Sequence, residues 1–163
     1  MSMKISGVIL NDFTAAPGVC VTLFCQGCPH HCPGCHNPET WDFNGGYEFT
    51  ASLMNKILKA IVANGIMRSF CIMGGEPMCD ENLKLTYYVV KRVRERYPDI
   101  KIYIWTGYTM QELRMRHLDN KYINKILNEI NVIIDGRYIK ELRDVTLPMR
   151  GSSNQKIYRL TKK

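Results

Sequence analysis

Val19-Cys-Val-Thr-Leu-Phe-Cys25 runs through Gln26-Gly27 into Cys28-Pro-His-His-Cys32-Pro-Gly-Cys35. The first part is β-branched and aromatic, and reads as a buried strand from Val19 to Phe24. The second puts three cysteines, spaced x3 and then x2, on the loop that leaves the strand. Three thiolates can hold a metal or a cluster while leaving one coordination position open. A structural zinc site is normally closed by a fourth ligand, and a cubane iron–sulfur cluster usually takes four cysteines. Two readings follow. His30, His31 or His36 closes a zinc site, or the cysteines hold a cluster in which one iron is free to bind a reacting group. Zinc fingers place a second ligand pair about a dozen residues on, and no histidine pair lies there. That favours the cluster.

Outward from this loop, strand and helix signals alternate. Lys4 to Leu10 reads as a short strand, and residues 36 to 49, with Pro38, Asn44, Gly45 and Gly46, as irregular chain. Thr50 is an N-cap for a helix to about Asn64, where Gly65 stops it. Leu53, Ile57, Leu58 and Ile61 give that helix an apolar stripe. Arg68 to Met73 is the next strand and ends in Gly74-Gly75-Glu76-Pro77. A helix from about Glu81 to Tyr97 ends at Pro98. Lys101 to Trp105 is a strand closed by Thr106-Gly107-Tyr108, and helical patterns cover Thr109 to Arg116 and Asp119 to Glu129. Val132 to Ile134 is a strand closed by Asp135-Gly136, and Lys156 to Leu160 is extended. Strand–helix alternation predicts an α/β fold of parallel strands with crossover helices. The cysteine loop, Gly-Gly-Glu-Pro, Trp-Thr-Gly-Tyr and Asp-Gly all follow strands, at the edge where such sheets bind ligands. A full eight-fold barrel needs about 250 residues, so a partial, incomplete TIM-like barrel is expected. The absence of repeats and linkers predicts a single domain over residues 1–163.

Bulk properties narrow the function classes. The 163 residues are 45% hydrophobic and 23% charged, as in an ordinary globular protein. No apolar run is long enough to span a bilayer, and the N-terminus carries no signal-peptide pattern. The expectation is a cytoplasmic protein with no membrane role. Seven cysteines cannot all pair internally, and clustered thiols in such a chain read as metal or redox chemistry. The net charge is +7, and residues 137–163 hold eight Lys or Arg against Glu141 and Asp144. No nucleic-acid-binding signature accompanies this charge, so a solvated basic face is expected and no nucleic acid.

Cys-x3-Cys-x2-Cys after one strand and Gly-Gly-Glu-Pro after the next resemble the radical S-adenosylmethionine superfamily. Further segments sharpen the likeness: Cys20-Val-Thr-Leu-Phe24, Thr40-Trp41, Trp105-Thr-Gly-Tyr108, Asp135-Gly136 and Arg150-Gly-Ser-Ser-Asn-Gln155. Together they resemble the family that activates anaerobic ribonucleoside-triphosphate reductase, over residues 5 to 158. The resemblance implies an oxidoreductase with a 4Fe-4S cluster on Cys28, Cys32 and Cys35, whose fourth iron chelates S-adenosylmethionine. An electron from the cluster would cleave the sulfonium, giving methionine and a 5′-deoxyadenosyl radical. That radical would take a hydrogen atom from a glycine of the partner reductase and leave a glycyl radical. The electron would come from a donor such as flavodoxin or ferredoxin.

The same resemblance places Gly34, Cys35 and His36 against the nucleoside, and Gly74 and Gly75, with Glu76 beside them, against the methionine end. Many superfamily members carry an aromatic where this chain has Gly34, so adenine stacking at that position is excluded. His36 packs on the adenine or fills the loop. Thr106 and Asp135 face the ligand or a bound cation, or serve as a turn hydroxyl and an Asx turn. Cys20, Cys25, Cys71 and Cys79 read as buried small residues, and Trp41 and Trp105 as core. Other readings are an activase for a different glycyl radical enzyme, a small-molecule enzyme such as a deazapurine synthase, and, from another class, a zinc-binding interaction module.

Overall fold

Alternation along the strands sorts the interior into two faces of one sheet, because successive side chains of a strand point to opposite sides. Val21, Leu23 and Cys25 of β2 (Cys20–Cys25), Phe70 and Ile72 of β4 (Ser69–Gly74) and Ile102 and Ile104 of β5 (Ile102–Trp105) share the larger core. Cys20, Cys71, Tyr103 and, from β6 (Val132–Asp135), Val132 and Ile134 form the smaller one. The computed structural model from which these positions are taken describes residues 3–160. Met1-Ser2 and, of the basic tail, Lys162 and Lys163 lie outside the described residues.

Seven strands pair in the order β3-β1-β2-β4-β5-β6-β7. The central pairings β2–β4, β4–β5 and β5–β6 are parallel. β1 (Lys4–Asp12) and β7 (Lys156–Arg159) lie antiparallel on β2 and β6, and the short β3 (Tyr47–Glu48) lies antiparallel on β1. Among the described residues no pairing joins β3 to β7, so the sheet is open.

The helices form for local reasons and dock on the larger core. The Thr50 side chain accepts from Leu53 N–H at the start of α1 (Ala51–Ile61), which relieves one orphan donor of the first turn. The helix ends three residues before Asn64, which takes a left-handed φ of 58° next to Gly65. In α3 (Met110–Arg116), Thr109 and Glu112 satisfy each other's backbone amides as a capping box. Asn120 caps α4 (Lys121–Glu129) by accepting from Tyr122 N–H. α2 (Leu83–Arg96) differs. Its N-cap residue, Asn82, makes no side-chain cap and sends its amide elsewhere. α1, α2, α3 and α4 all contribute to the larger core, through residues such as Met54, Val89, Leu113 and Ile126. The smaller face is covered by loop residues Ala15, Ala16 and Met149 and carries no helix residue.

Candidate functional site

Parallel pairing brings the C-terminal ends of β2, β4, β5 and β6 to one edge, with Cys25 opposite Gly74 and Trp105 opposite Ile134. A cavity of about 630 Å³ opens there, and the loops after all four strands line it. Cys28, Cys32 and Cys35 border it together with Gly74, Gly75 and Gly136. The three cysteines are half-buried and uncrosslinked, whereas Cys20, Cys25, Cys71 and Cys79 are uncrosslinked and buried. Burial pushes the Cys28 thiol up to about 11, against backbone amide contact from His30 and with the Glu76 carboxylate adding to the rise. Burial also raises Cys32.

Three free thiols share one cavity wall with a backbone stripped of side chains. A Cβ on Gly75 would lie 2.4 Å from the Gly27 carbonyl oxygen, and one on Gly74, whose φ is +99°, would lie 2.8 Å from Cys25 N. Among the described residues no group of three or more His, Cys, Asp or Glu side chains is placed to hold a metal ion. The three cysteines and this bare backbone border one cavity of about 630 Å³, which leaves room for a group larger than a single ion.

The Gly-Gly-Glu-Pro turn is stitched to the start of the cysteine loop. Gly75 N–H donates to Cys25 O at 2.9 Å and Glu76 N–H to Gly27 O at 2.8 Å, extending the ladder beyond the strands. The Asn82 amide donates to Gln26 O, Gly27 O and Glu76 O at 2.9–3.2 Å, which is why it is lost to the cap of α2. Gln26 in turn donates to Glu39 O and Asp42 O, fixing the return of the loop. Within the loop, Cys35 N–H donates to Cys32 O and Asn37 N–H to Cys35 Sγ. His31, at φ 48°, stacks on Trp41 with ring centres 4.5 Å apart.

Not every residue singled out from sequence faces the cavity in the same way. Gly34 and His36 lie exposed at the loop tip, with the His36 ring 5.7 Å from that of Tyr138. Glu76 is buried at 1% exposure, and its oxygens are taken up by protein donors. Thr106 donates to Glu76, receives Tyr108 N–H as a turn hydroxyl does, and also lines the cavity. Asp135 accepts from Met110 N–H and Lys156 N–H, holding α3 and β7 to the end of β6.

Trp105 packs against the smaller core, as expected of it, and also faces the cavity. It is half-buried, lines the cavity and donates through Nε1 to Met149 O at 2.8 Å. The sheet alternation that puts Ile104 in the larger core turns Trp105 to the opposite side. Trp41 is likewise half-buried, under His31.

Sequence reading passed over Arg137, Tyr138 and Arg150 as cavity walls. Arg137 pairs with Glu112 at 3.0 Å, and Gln155 braces the loop by accepting from Gly151 N–H and donating to Gly136 O. The Arg-Gly-Ser-Ser-Asn-Gln segment was the only signal that this wall matters.

Comparison with known proteins gives the family context. The family described as a 4Fe-4S single cluster domain matches residues 15–158. A protein of Vibrio cholerae serotype O1 is 38% identical over 151 residues, covering 92% of this chain and 94% of that one. One from Salmonella typhi is 36% identical over 150 residues, covering 91% and 94%. One from Enterobacteria phage T4 is 33% identical over 147 residues, covering 90% and 88%. Each of the three is called an anaerobic ribonucleoside-triphosphate reductase-activating protein.

Proposed function

The chain belongs to the family of anaerobic ribonucleoside-triphosphate reductase-activating proteins, with a 4Fe-4S single cluster domain, and on that premise we propose that it is a radical S-adenosylmethionine enzyme. It installs a glycyl radical on its partner, an anaerobic ribonucleoside-triphosphate reductase. The observation that carries this reading is the common wall formed by three free thiols and the bare Gly74–Gly75 backbone.

In this reading Cys28, Cys32 and Cys35 hold a 4Fe-4S cluster and leave one iron for S-adenosylmethionine. When bound, the cluster supplies the electron that splits S-adenosylmethionine into methionine and a 5′-deoxyadenosyl radical, which abstracts the glycine hydrogen. The chain's own work is to bind, orient and exclude water. Gly74 and Gly75 present backbone carbonyls to the methionine end, held in place because only glycine lets this turn pack on Cys25 and Gly27. Gly34 and His36 border the nucleoside, and Trp105 forms an apolar wall of the cavity. The cavity opens at the loop edge, so a glycine-bearing segment of another protein can reach it.

The open sheet is read as an incomplete barrel around this site. Its support is the division of faces, helices on one side and the cavity-lining Phe24, Met73 and Trp105 on the other. Among the described residues no helix is long and apolar enough to cross a membrane. We place the enzyme in the cytoplasm, with a flavodoxin or ferredoxin as electron donor. The test is anaerobic reconstitution with iron and sulfide, reduction, and addition of S-adenosylmethionine. A brown, oxygen-bleached protein that releases methionine and 5′-deoxyadenosine is expected. Tight zinc binding without that absorbance would sink the proposal.

A further inference from the structure

We propose that His30 and Glu76 are positioning residues, a buried latch that fixes the thiol-bearing loop against the Gly74–Gly75 turn. The inference rests on the functional reading above and adds to it a role for two side chains that stand in the cavity wall and bond to each other. His30 stands between Cys28 and Cys32, yet its side chain points inward and is 5% exposed. Its Nε2 lies 2.7 Å from Glu76 Oε2. Gly107 N–H donates to that same oxygen at 2.6 Å. The other oxygen, Oε1, accepts from Thr106 Oγ1 at 2.7 Å and Met78 N–H at 2.8 Å. A carboxylate has about four acceptor positions, and here protein donors take them. Glu76 therefore has nothing left to offer an incoming amine. A single carboxylate joins the turn after β4, the turn after β5 and the cysteine loop after β2.

The surroundings of His30 are built to keep it there. Gly107 packs flat on the ring: a Cβ at that position would sit 2.4 Å from His30 Cδ2 and 2.7 Å from Nε2. Tyr108 meets the ring edge-on at 4.5 Å, and Arg116 covers the Tyr108 ring at 4.1 Å. The cysteine loop has few hydrogen bonds of its own. One fixed side chain between the first two thiols thus sets how the loop stands relative to the glycine turn. Displacements of about 1 Å in such a constellation weaken binding and turnover steeply.

A purely structural role predicts lost stability, whereas a latch predicts a changed relation between loop and turn in protein that is still folded. Two readouts on the reconstituted, reduced protein separate them. One is the affinity for S-adenosylmethionine, from its perturbation of the cluster's electron paramagnetic resonance spectrum. The other is amide hydrogen exchange across residues 28–36.

His30→Ala is expected to weaken S-adenosylmethionine at least tenfold and to speed exchange in the loop, with His30→Gln recovering most of both. Gly107→Ala, which pushes the ring away without substituting any residue of the loop, should reproduce His30→Ala. The double variant should be no worse than His30→Ala alone, because the two act on one contact. Wild-type affinity and exchange in His30→Ala, or single losses that multiply in the double variant, would overturn the latch. If His30→Ala loads no iron, Gly107→Ala carries the test, and wild-type behaviour in it overturns the proposal. A wild-type protein whose cluster ignores S-adenosylmethionine overturns the functional reading instead, while hydrogen exchange still decides the latch.

Discussion

The loop from Cys28 to His36 and the turn from Gly74 to Pro77 stand side by side and are built in opposite ways. The turn is woven into its surroundings: its amides continue the β2–β4 ladder, and its buried carboxylate gathers donors from three directions. The loop carries three thiols but has little internal bonding, a Cys32–Cys35 turn and an amide on Cys35 Sγ. It is held from outside, through Gly27 and Cys28 N–H on Thr40 O and Trp41 O and through His30 on Glu76. A loop that must wrap an incoming group gains by keeping its own donors and acceptors few. A turn that meets a ligand through its backbone gains by being rigid. The contrast assigns donor chemistry to one region and geometry to the other.

The comparison breaks most completely at the thiols. Cys32→Ala should abolish both cluster retention and S-adenosylmethionine cleavage, read from iron content and product release. An active Cys32→Ala protein would end the account.

The next effect lies in the turn. Gly75→Ala forces a methyl group to within 2.4 Å of Gly27 O, and backbone on both sides must move. A loss of about 1–3 kcal/mol in denaturant unfolding is expected, with affinity for S-adenosylmethionine falling as well. Unchanged affinity would show that the turn does not need its bare backbone.

Away from the thiols and the glycine turn the effects become ordinary, even at Asp12 in the cavity wall. Asp12 ends β1, is buried, and accepts from Thr22 Oγ1, Thr14 N–H and Thr14 Oγ1. Burial works to raise its carboxyl, but these hydrogen bonds outweigh it and hold the group below the usual carboxylate range. A depressed folded value means that the stabilisation is present above about pH 4, the unfolded value, and is lost as pH falls through the folded one. Asp12→Asn should cost about 1–2 kcal/mol at neutral pH and flatten the loss of stability on the acid side. Equal acid sensitivity in both proteins would contradict this.

Smallest of all is Cys20→Ala. Its thiol is buried beneath the sheet and outside the cavity, so a loss of about 1 kcal/mol with full cleavage activity is expected.

Much of this arrangement was legible in the sequence. Most strands and all four helices followed from periodicity and caps, as at Thr50 and Pro98, but the short β3 at Tyr47–Glu48 lies in a stretch read as irregular. The placing of four unusual turns on one edge followed from their positions after parallel strands. What stayed hidden depends on register and on long-range pairing. Nothing local says that His30 reaches Glu76, 46 residues away, or that Asn82 gives up its cap to bind Gln26 O. That Trp105 also faces the cavity was hidden because a strand residue's face is set by its neighbours' register. The antiparallel β1 and β7 carried no signal separate from that of the parallel strands. The motif drew attention to Glu76, but the donors that occupy its two oxygens come mostly from distant residues and appear only in the fold.

The most direct measurement of the central claim uses the reconstituted, reduced protein, S-adenosylmethionine and the partner reductase in one anaerobic mixture, followed by electron paramagnetic resonance. The account predicts an organic radical on a reductase glycine, confirmed by loss of the signal when that glycine is replaced. Cleavage of S-adenosylmethionine with no radical on the reductase would contradict it.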